Sequence, residues 1–478
     1  MEARHALELR AIRKAFPGVL AVDDVSLEVH AGEIHGLVGE NGAGKSTLAN
    51  IAFGTLRPDA GSVVAAGTVG LVHQHFELAG RLTVWENVLL GREPRKGWLL
   101  DVTAGRERVR RLAESNGLAI DPDAVVEELP VAVQQRVELL RELERNPAVL
   151  LLDEPTAALA PAEIDTLFKA LRDLAQRGTA ILIITHKLQE VVTYCARVTV
   201  MRHGRVVAQY QGAGARTEEI ARAMIGGDLP PIAQRRATVP QPCVRIEDLT
   251  VNANAGSVRN LTFEVRVGEI VGIAGVEGNG QTALADAIAG AAWYTGRISI
   301  ERADGNRRIG IIPQDRLREG LVPAWSILDN VILGRQHSAR VRRGVQLNRT
   351  SAYEDARAVT RQFDVRAPSL QTPVAALSGG NQQKIVVGRA LLDEPAFVLA
   401  YQPTRGIDVG AAALVHSRLI EARNAGSAIL LISFDLDEIL ALADRIFVMY
   451  RGRIVDEESG AAADRDRIAR AFTGGNAV

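Results

Sequence analysis

Short, mainly apolar runs of four to six residues recur along this chain, each ending abruptly in polar or charged residues. Glu33-Ile34-His35-Gly36-Leu37-Val38, Ala148-Val149-Leu150-Leu151-Leu152, Ala180-Ile181-Leu182-Ile183-Ile184 and Phe397-Val398-Leu399-Ala400 are of this kind, and they read as short strands. A glycine-rich stretch follows the first run, and Ser46-Thr47-Leu48-Ala49-Asn50-Ile51 after it can begin a helix. Strand followed by glycine turn and helix predicts an α/β fold. No apolar run approaches the roughly 18 residues that span a bilayer, and no secretory pattern opens the chain, so a membrane role is expected only through a partner.

The pattern is written twice. Gly39-Glu40-Asn41-Gly42-Ala43-Gly44-Lys45-Ser46 returns 236 residues later as Gly275-Val276-Glu277-Gly278-Asn279-Gly280-Gln281-Thr282. Leu129-Pro130-Val131-Ala132-Val133-Gln134-Gln135 returns 248 residues later as Leu377-Ser378-Gly379-Gly380-Asn381-Gln382-Gln383. The drift between these offsets is a small insertion in the second copy, so the repeat is a whole domain and not a short-period solenoid. The expected division is a first domain over 1–228, a proline-bearing linker over 229–242 and a second domain over 243–478.

Composition narrows the function. The 478 residues exceed one ordinary core. A formal net charge of −1 speaks against a nucleic-acid binder, which usually carries a basic excess. The arginine clusters Arg106 to Arg111 and Arg340 to Arg343 have glutamates or polar residues interleaved and read as solvated helix faces. The two cysteines, Cys195 and Cys243, lack metal spacing and imply no disulfide framework, which fits a reducing compartment.

The candidate chemistry begins at the first glycine stretch. Its glycines let successive backbone N–H groups turn inward around phosphate oxygens, and the helix start adds its dipole. Lys45 would then sit against the β and γ phosphates and Ser46 would ligate Mg²⁺. The second run ends in Asp153-Glu154-Pro155-Thr156, where an aspartate can hold Mg²⁺ and a glutamate can polarise the attacking water. The third ends at Thr185-His186. Open α/β sheets bind ligands at the carboxyl ends of their strands, which places His186 near the γ-phosphate. His73 and His75 flank Gln74 with no third ligand nearby and read as loop packing.

Together these residues resemble the nucleotide-binding domains of ATP-binding cassette (ABC) transporters, and the resemblance covers nearly the whole chain. Leu377-Ser378-Gly379-Gly380-Asn381-Gln382-Gln383 looks like the family signature. The resemblance implies two tandem P-loop NTPase domains, each with a mainly parallel core sheet, an antiparallel β subdomain and a helical subdomain. It implies ATP and Mg²⁺ as cofactors, with ATP clamped between the phosphate loop of one domain and the signature helix of the other. The nucleotide would touch Gly39, Asn41, Gly42, Gly44, Lys45, Ser46 and Thr47 on one side and Ser378, Gly379, Gly380 and Gln382 on the other. Phe16 stands where the family places an aromatic that stacks on adenine, a core aromatic being its other reading. Gln74 in Val72-His73-Gln74-His75-Phe76 resembles the loop glutamine that reaches Mg²⁺, and Gln314 is its counterpart. Glu154, His186 and Gln74 are then the expected catalytic residues, and Ser46, Gln74 and Asp153 the expected metal ligands.

The second copy departs from this pattern at four positions: Gln281 replaces the lysine, Tyr401 and Gln402 the two acids, and Phe434 the histidine. In the first copy Pro130 and Ala132 replace a serine and a glycine of the signature. In a head-to-tail pairing both sets of losses would fall in one composite site and the intact residues in the other. One hydrolytic site is expected, with the other at most binding nucleotide.

A fused pair with asymmetric sites resembles the ATP-binding subunit of bacterial importers for simple sugars and nucleosides. His73 to Phe76, Leu82 to Val88, Gln134 to Glu138 and Gln402 to Asp408 resemble the nucleoside branch, whereas Ala132 leans toward the sugar branch. The implied partners are two integral-membrane permease subunits and, indirectly, an extracytoplasmic substrate-binding protein, with no nucleic acid. The implied place is the cytoplasmic face of the inner membrane. A soluble twin-cassette protein acting on ribosomes or DNA is the competing class, and a small-molecule kinase leaves the Ser378 motif unexplained.

Overall fold

The computed structural model describes residues 5–73, 77–156, 159, 161–227, 236, 238–252, 256–302, 304–335, 338, 340–343 and 346–472, the side chains of 161, 162, 213, 343 and 461 excepted. The chain divides into two units, Met1–Leu229 and Pro230–Val478.

In the first unit a six-stranded sheet runs in the order Arg205–Gln211, Arg197–Arg202, Ile34–Gly39, Ala180–Thr185, Val149–Asp153 and Val69–Val72. All neighbours are parallel except the hairpin of the first two. The apolar runs explain this placement. Ile34–Gly39 and Ala180–Thr185 are buried at each position, as strands covered on both faces must be. Each fully buried large apolar side chain contributes roughly 1.5–3 kcal/mol relative to exposure, so the central strands anchor the unit.

Beside it lies a three-stranded antiparallel sheet with His5–Phe16 between Val19–His30 and Ala60–Ala65. Here burial alternates: Val25, Leu27 and Val29 point into the core while Ser26 and Glu28 face outward, the pattern of a sheet wet on one side. A helical region follows, with helices Val84–Val88, Val102–Ser115 and Val131–Leu143. Thr83 and Glu86 form a capping box at the first of these.

The second unit repeats the plan. Its six-stranded sheet runs Arg453–Ser459, Arg445–Tyr450, Ile270–Ala274, Ala428–Ile432, Phe397–Tyr401 and Ile309–Ile312. Pro242–Val251 is the centre of its antiparallel sheet, and Ile327–Ile332, Arg349–Gln362 and Gly379–Leu391 form its helical region. Both units thus show the mainly parallel sheet, antiparallel strands and helical region that the resemblance implied.

Two expectations are corrected. Pro242, placed at the end of the linker, opens a strand and pairs with Arg266, and the N–H of Val239 already donates to Val267 O at 3.2 Å. Proline at the first residue of a strand leaves no ladder bond unmade. Arg340 to Arg343 is not a helix face. Arg342–Arg343 pairs with Gln346–Leu347 in a hairpin, and Arg340 Nε donates to buried Asp355 Oδ1 at 2.9 Å. Arg106 to Arg111 does lie on a helix, with Arg106 against Asp123 and Arg110 against Glu107.

Candidate phosphate-binding site

The first glycine loop leaves the sheet at Gly39 and enters the helix Lys45–Phe53. Gly44 must be glycine: its φ is +97°, and a Cβ there would stand 2.2 Å from Ala21 O. No side chain caps this helix and its first turn carries no acidic residue, so its N-terminal dipole faces the loop. Lys45 folds back along the loop, its Nζ donating to Gly39 O at 2.8 Å and Glu40 O at 3.0 Å. Burial pulls its ammonium below the usual lysine range, with Glu154, Asp153 and Glu40 opposing. A phosphate arriving at the loop would meet a cation already in place.

One strand end brings both acids, and the neighbouring one brings the histidine. Ser46 Oγ donates to Asp153 Oδ2 at 3.0 Å, although 107 residues separate them. Burial pushes the Asp153 carboxyl up, against the Ser46 hydrogen bond and the nearby Lys45 charge. Glu154 sits in the left-handed region at φ 49°, with its N–H donating to Ile184 O at 2.8 Å. That link sets its carboxylate beside the next strand end, where His186 Nδ1 lies 2.9 Å from Glu154 Oε1. Burial works to raise the Glu154 carboxyl, but the His186 hydrogen bond and the charges of His186 and Lys45 prevail and hold it below the usual carboxylate range. A hydroxyl and a carboxylate side by side are the hard oxygen donors that suit Mg²⁺. Phe16 is 43% exposed with Lys14 Nζ 5.9 Å from its ring centre, so it is no core aromatic. Gln74 and His75 lie outside the described residues; His73 packs edge-on against Phe53.

The second unit keeps the backbone and changes the side chains. Gly280 opens its helix at φ +106°, and Gln281 Nε2 donates to Val276 O at 3.1 Å. Where Ser46 meets Asp153, Thr282 meets Tyr401, oxygen to oxygen at 2.8 Å. Phe434, at the position of His186, stands edge-on to the Tyr401 ring at 6.2 Å, and Gln402 is at the position of Glu154. Gln281 Oε1 and Gln402 Nε2 are buried without a hydrogen-bond partner. An ionic cluster has become an aromatic one.

The ABC transporter family model matches residues 22–157 and 258–405 of this chain. The chain belongs to the ABC transporter family. It is 38% identical to the nucleoside import ATP-binding protein NupA of Lactococcus lactis, covering 98% of both chains. It is 40% identical to the guanosine import ATP-binding protein NupO of Bacillus subtilis, covering 94% of both. With the ribose import ATP-binding protein RbsA 1 of Rubrobacter xylanophilus it shares 38% identity over 99% of both. Among solved structures, the complex of archaeal ribosome recycling factor aABCE1 with stalk protein aP1 matches with a TM-score of 0.70 at 17% identity, covering 98% of this chain and 92% of that one, and shows the fold alone. As two fused cassettes of the ABC family, the chain binds ATP and is an ATPase.

The two signature stretches of this ABC protein both open helices. Ser378 caps Gly379–Leu391 by accepting from Asn381 N, whereas Pro130 precedes Val131–Leu143 with no side-chain cap. Three groups near these sites went unread in the sequence. Gln135 donates to Pro155 O, and Gln383 to Pro403 O at 2.6 Å, tying each signature helix to the loop after the strand Val149–Asp153 or its counterpart Phe397–Tyr401 in its own cassette. Thr156 donates to Glu190 and Thr404 to Glu438, each at 2.7 Å, bracing the same loops. Recurrence of the Gln-Gln pair and of Pro-Thr in both copies was the available signal. Arg316 lies against Gly379, with Nη1 donating to Arg405 O at 3.0 Å and Nε to Gln382 Oε1 at 3.3 Å. Nothing in its local sequence pointed there.

Proposed function

We propose that this chain is the energising subunit of an importer for nucleosides, hydrolysing ATP at one site and not at a second. The observation that carries the reading is the exchange of Ser46–Asp153 and His186–Glu154 in the first cassette for Thr282–Tyr401 and Phe434 in the second. The first set, beside Lys45, offers a hydroxyl paired with a carboxylate and a second, ionised carboxylate; the second offers two hydroxyls and an aromatic ring, and no charge.

In this reading Lys45, Ser46 and Thr47 with Gly39, Asn41, Gly42 and Gly44 hold the ATP phosphates, and Phe16 stacks on adenine. Ser378, Gly379, Gly380 and Gln382 supply the second anion contact from the signature helix, as the family resemblance implies. Ser46, Asp153 and Gln74 would hold Mg²⁺, which neutralises phosphate charge when bound. Glu154 takes the proton of the attacking water, and His186 fixes its carboxylate. Two permease subunits in the inner membrane would be the partners on its cytoplasmic face, with a substrate-binding protein beyond them. Among the described residues no helix is long and apolar enough to cross a membrane.

Nucleoside is favoured over sugar by the motifs around Gln74, Glu86, Gln134 and Arg405, and NupA and NupO are nucleoside and guanosine proteins; RbsA 1, at like identity, keeps a pentose importer as the second reading. Steady-state ATPase tests the site: Glu154→Gln is expected to lose about 10²- to 10⁴-fold, and Gln402→Glu to change nothing. Near-wild-type activity of Glu154→Gln overturns it. Uptake of labelled nucleosides, pentoses and hexoses in a deletion strain, each against the complemented strain, decides the substrate.

A further inference from the structure

On the antiparallel sheet of the first cassette, away from the phosphate loop, three metal-ligating side chains converge. His5 opens its strand and pairs in register with His30 at the end of the neighbouring strand. Glu28, two residues before His30, points to the same face, because side chains alternate along a strand. One ligand atom of each of the three lies within 4.8 Å of those of the other two. His5 Nδ1 and Glu28 Oε2 are 3.5 Å apart, and the two imidazole rings have centres 4.9 Å apart. With metal bonds of about 2.0–2.2 Å, two ligands on a tetrahedral ion stand roughly 3.4 Å apart, so one edge of such a site already has its length. His30 Nδ1 is buried without a hydrogen-bond partner, a nitrogen that the fold itself leaves unused.

The neighbouring charges leave the three groups available to one another. Arg10 is held by Glu8 through two hydrogen bonds, of 2.5 and 2.8 Å, and Arg197 takes the main-chain oxygen of Glu28 while its side chain pairs with Glu33. Glu33 Oε1 also accepts the His30 backbone N–H, which fixes where the His30 strand ends. The second cassette supplies an internal control. In the same register Pro242 pairs with Arg266, and Arg266 Nε lies 3.2 Å from Glu264. A proline and an arginine cannot bind a metal, so the second cassette has an ion pair where the first has two imidazoles and a carboxylate.

We infer that His5, Glu28 and His30 form a site for a divalent transition-metal ion, Zn²⁺ in the first instance, with water completing its coordination. Imidazole and carboxylate together suit Zn²⁺, Ni²⁺ and Cu²⁺ and disfavour Mg²⁺, which keeps this site separate from the nucleotide's own metal. An ion bound there links the start of one strand to the end of its neighbour and resists fraying of that sheet edge. The inference stands independently of the proposed transport function.

The test uses the full chain, stripped with chelator and free of nucleotide and Mg²⁺, titrated with Zn²⁺ alone by calorimetry and followed by thermal unfolding. One saturable Zn²⁺ equivalent is expected beyond that of the variants, with a rise in Tm. His5→Ala and His30→Arg should each weaken it by at least about tenfold, since each removes a ligand. His30→Arg installs the residue that the second cassette carries at this place, and exposed His5→Ala guards against a folding defect in it. Equal Zn²⁺ binding by the wild type and both variants overturns the site, as does a wild type with no saturable binding. Competition by millimolar Mg²⁺ also counts against it.

Discussion

Glu154 and Gln402 occupy equivalent turns in the two cassettes and differ in what they can do. Their backbones agree: φ is 49° and 52°, and each N–H donates to the adjoining strand, to Ile184 O and Ile432 O, at 2.8 Å. A non-glycine residue in this region costs about 1–3 kcal/mol, and strain of this kind is often taken as a mark of function. Here it persists where the carboxylate is gone. The turn is therefore a requirement of the sheet, which needs that hydrogen bond to pass from strand to loop. In the proposed reading catalysis would use the turn in one cassette, and the other retains it as architecture.

The largest effect that could break this contrast is at the phosphate loops. Lys45→Gln copies the second loop into the first and removes charge-assisted bonds of about 1.5–3 kcal/mol, so ATP affinity should fall roughly 10- to 100-fold and hydrolysis with it. Gln281→Lys should restore no ATPase, because Tyr401, Gln402 and Phe434 remain. Equilibrium binding of a fluorescent ATP analogue and steady-state turnover read both, and a gain of turnover in Gln281→Lys ends the distinction.

His186→Phe copies the next difference. Without the imidazole the Glu154 carboxyl loses the hydrogen bond and charge that keep it below its usual range, while burial remains and raises it. The base then protonates at higher pH, so the acid limb of the pH–rate profile should move upward. An unmoved limb shows that another group governs it.

Tyr401→Phe sharpens the contrast from the other side. It removes the bond to Thr282 and should lower the stability of the second cassette by about 1 kcal/mol with ATPase unchanged. A fall in ATPase would give Tyr401 a catalytic part.

The smallest effect concerns Glu138, which the second cassette replaces by Val386. Glu138 is buried, and burial pushes its carboxyl up to about 7 from 4.5, against the charge of Arg141. Between those values the unfolded chain loses this proton and the folded chain keeps it. This carboxyl therefore makes stability fall as pH rises from about 4.5 to 7 and adds no further slope above. Urea unfolding of Glu138→Gln, compared with wild type at several pH values, should lack that component.

Much of the fold was legible because its rules are local. Consecutive apolar residues in Ala180–Thr185 require burial on both faces, and the spacing of Gly39, Gly44 and Lys45 marks a turn into a helix whatever surrounds it. The exposed ring of Phe16 removes the core role that the sequence had kept as its second reading, and leaves the stacking role as a proposal. Arg340 to Arg343 misled because arginines interleaved with polar residues carry no period, so a hairpin and a helix face look alike. Arg316 was invisible for a related reason: its partners Gln382 and Arg405 are far along the chain.

By itself the sequence determined that there are two cassettes, that each opens on a phosphate loop, and which positions had changed between the copies. Those are statements about residues a few places apart, where backbone geometry follows from residue type. Only the tertiary structure decided which strand ends adjoin, and so that Ser46 meets Asp153, that Tyr401 closes on Thr282, and that His5, Glu28 and His30 share one face. Strand order and register set those meetings, and both are settled by packing the whole sheet at once.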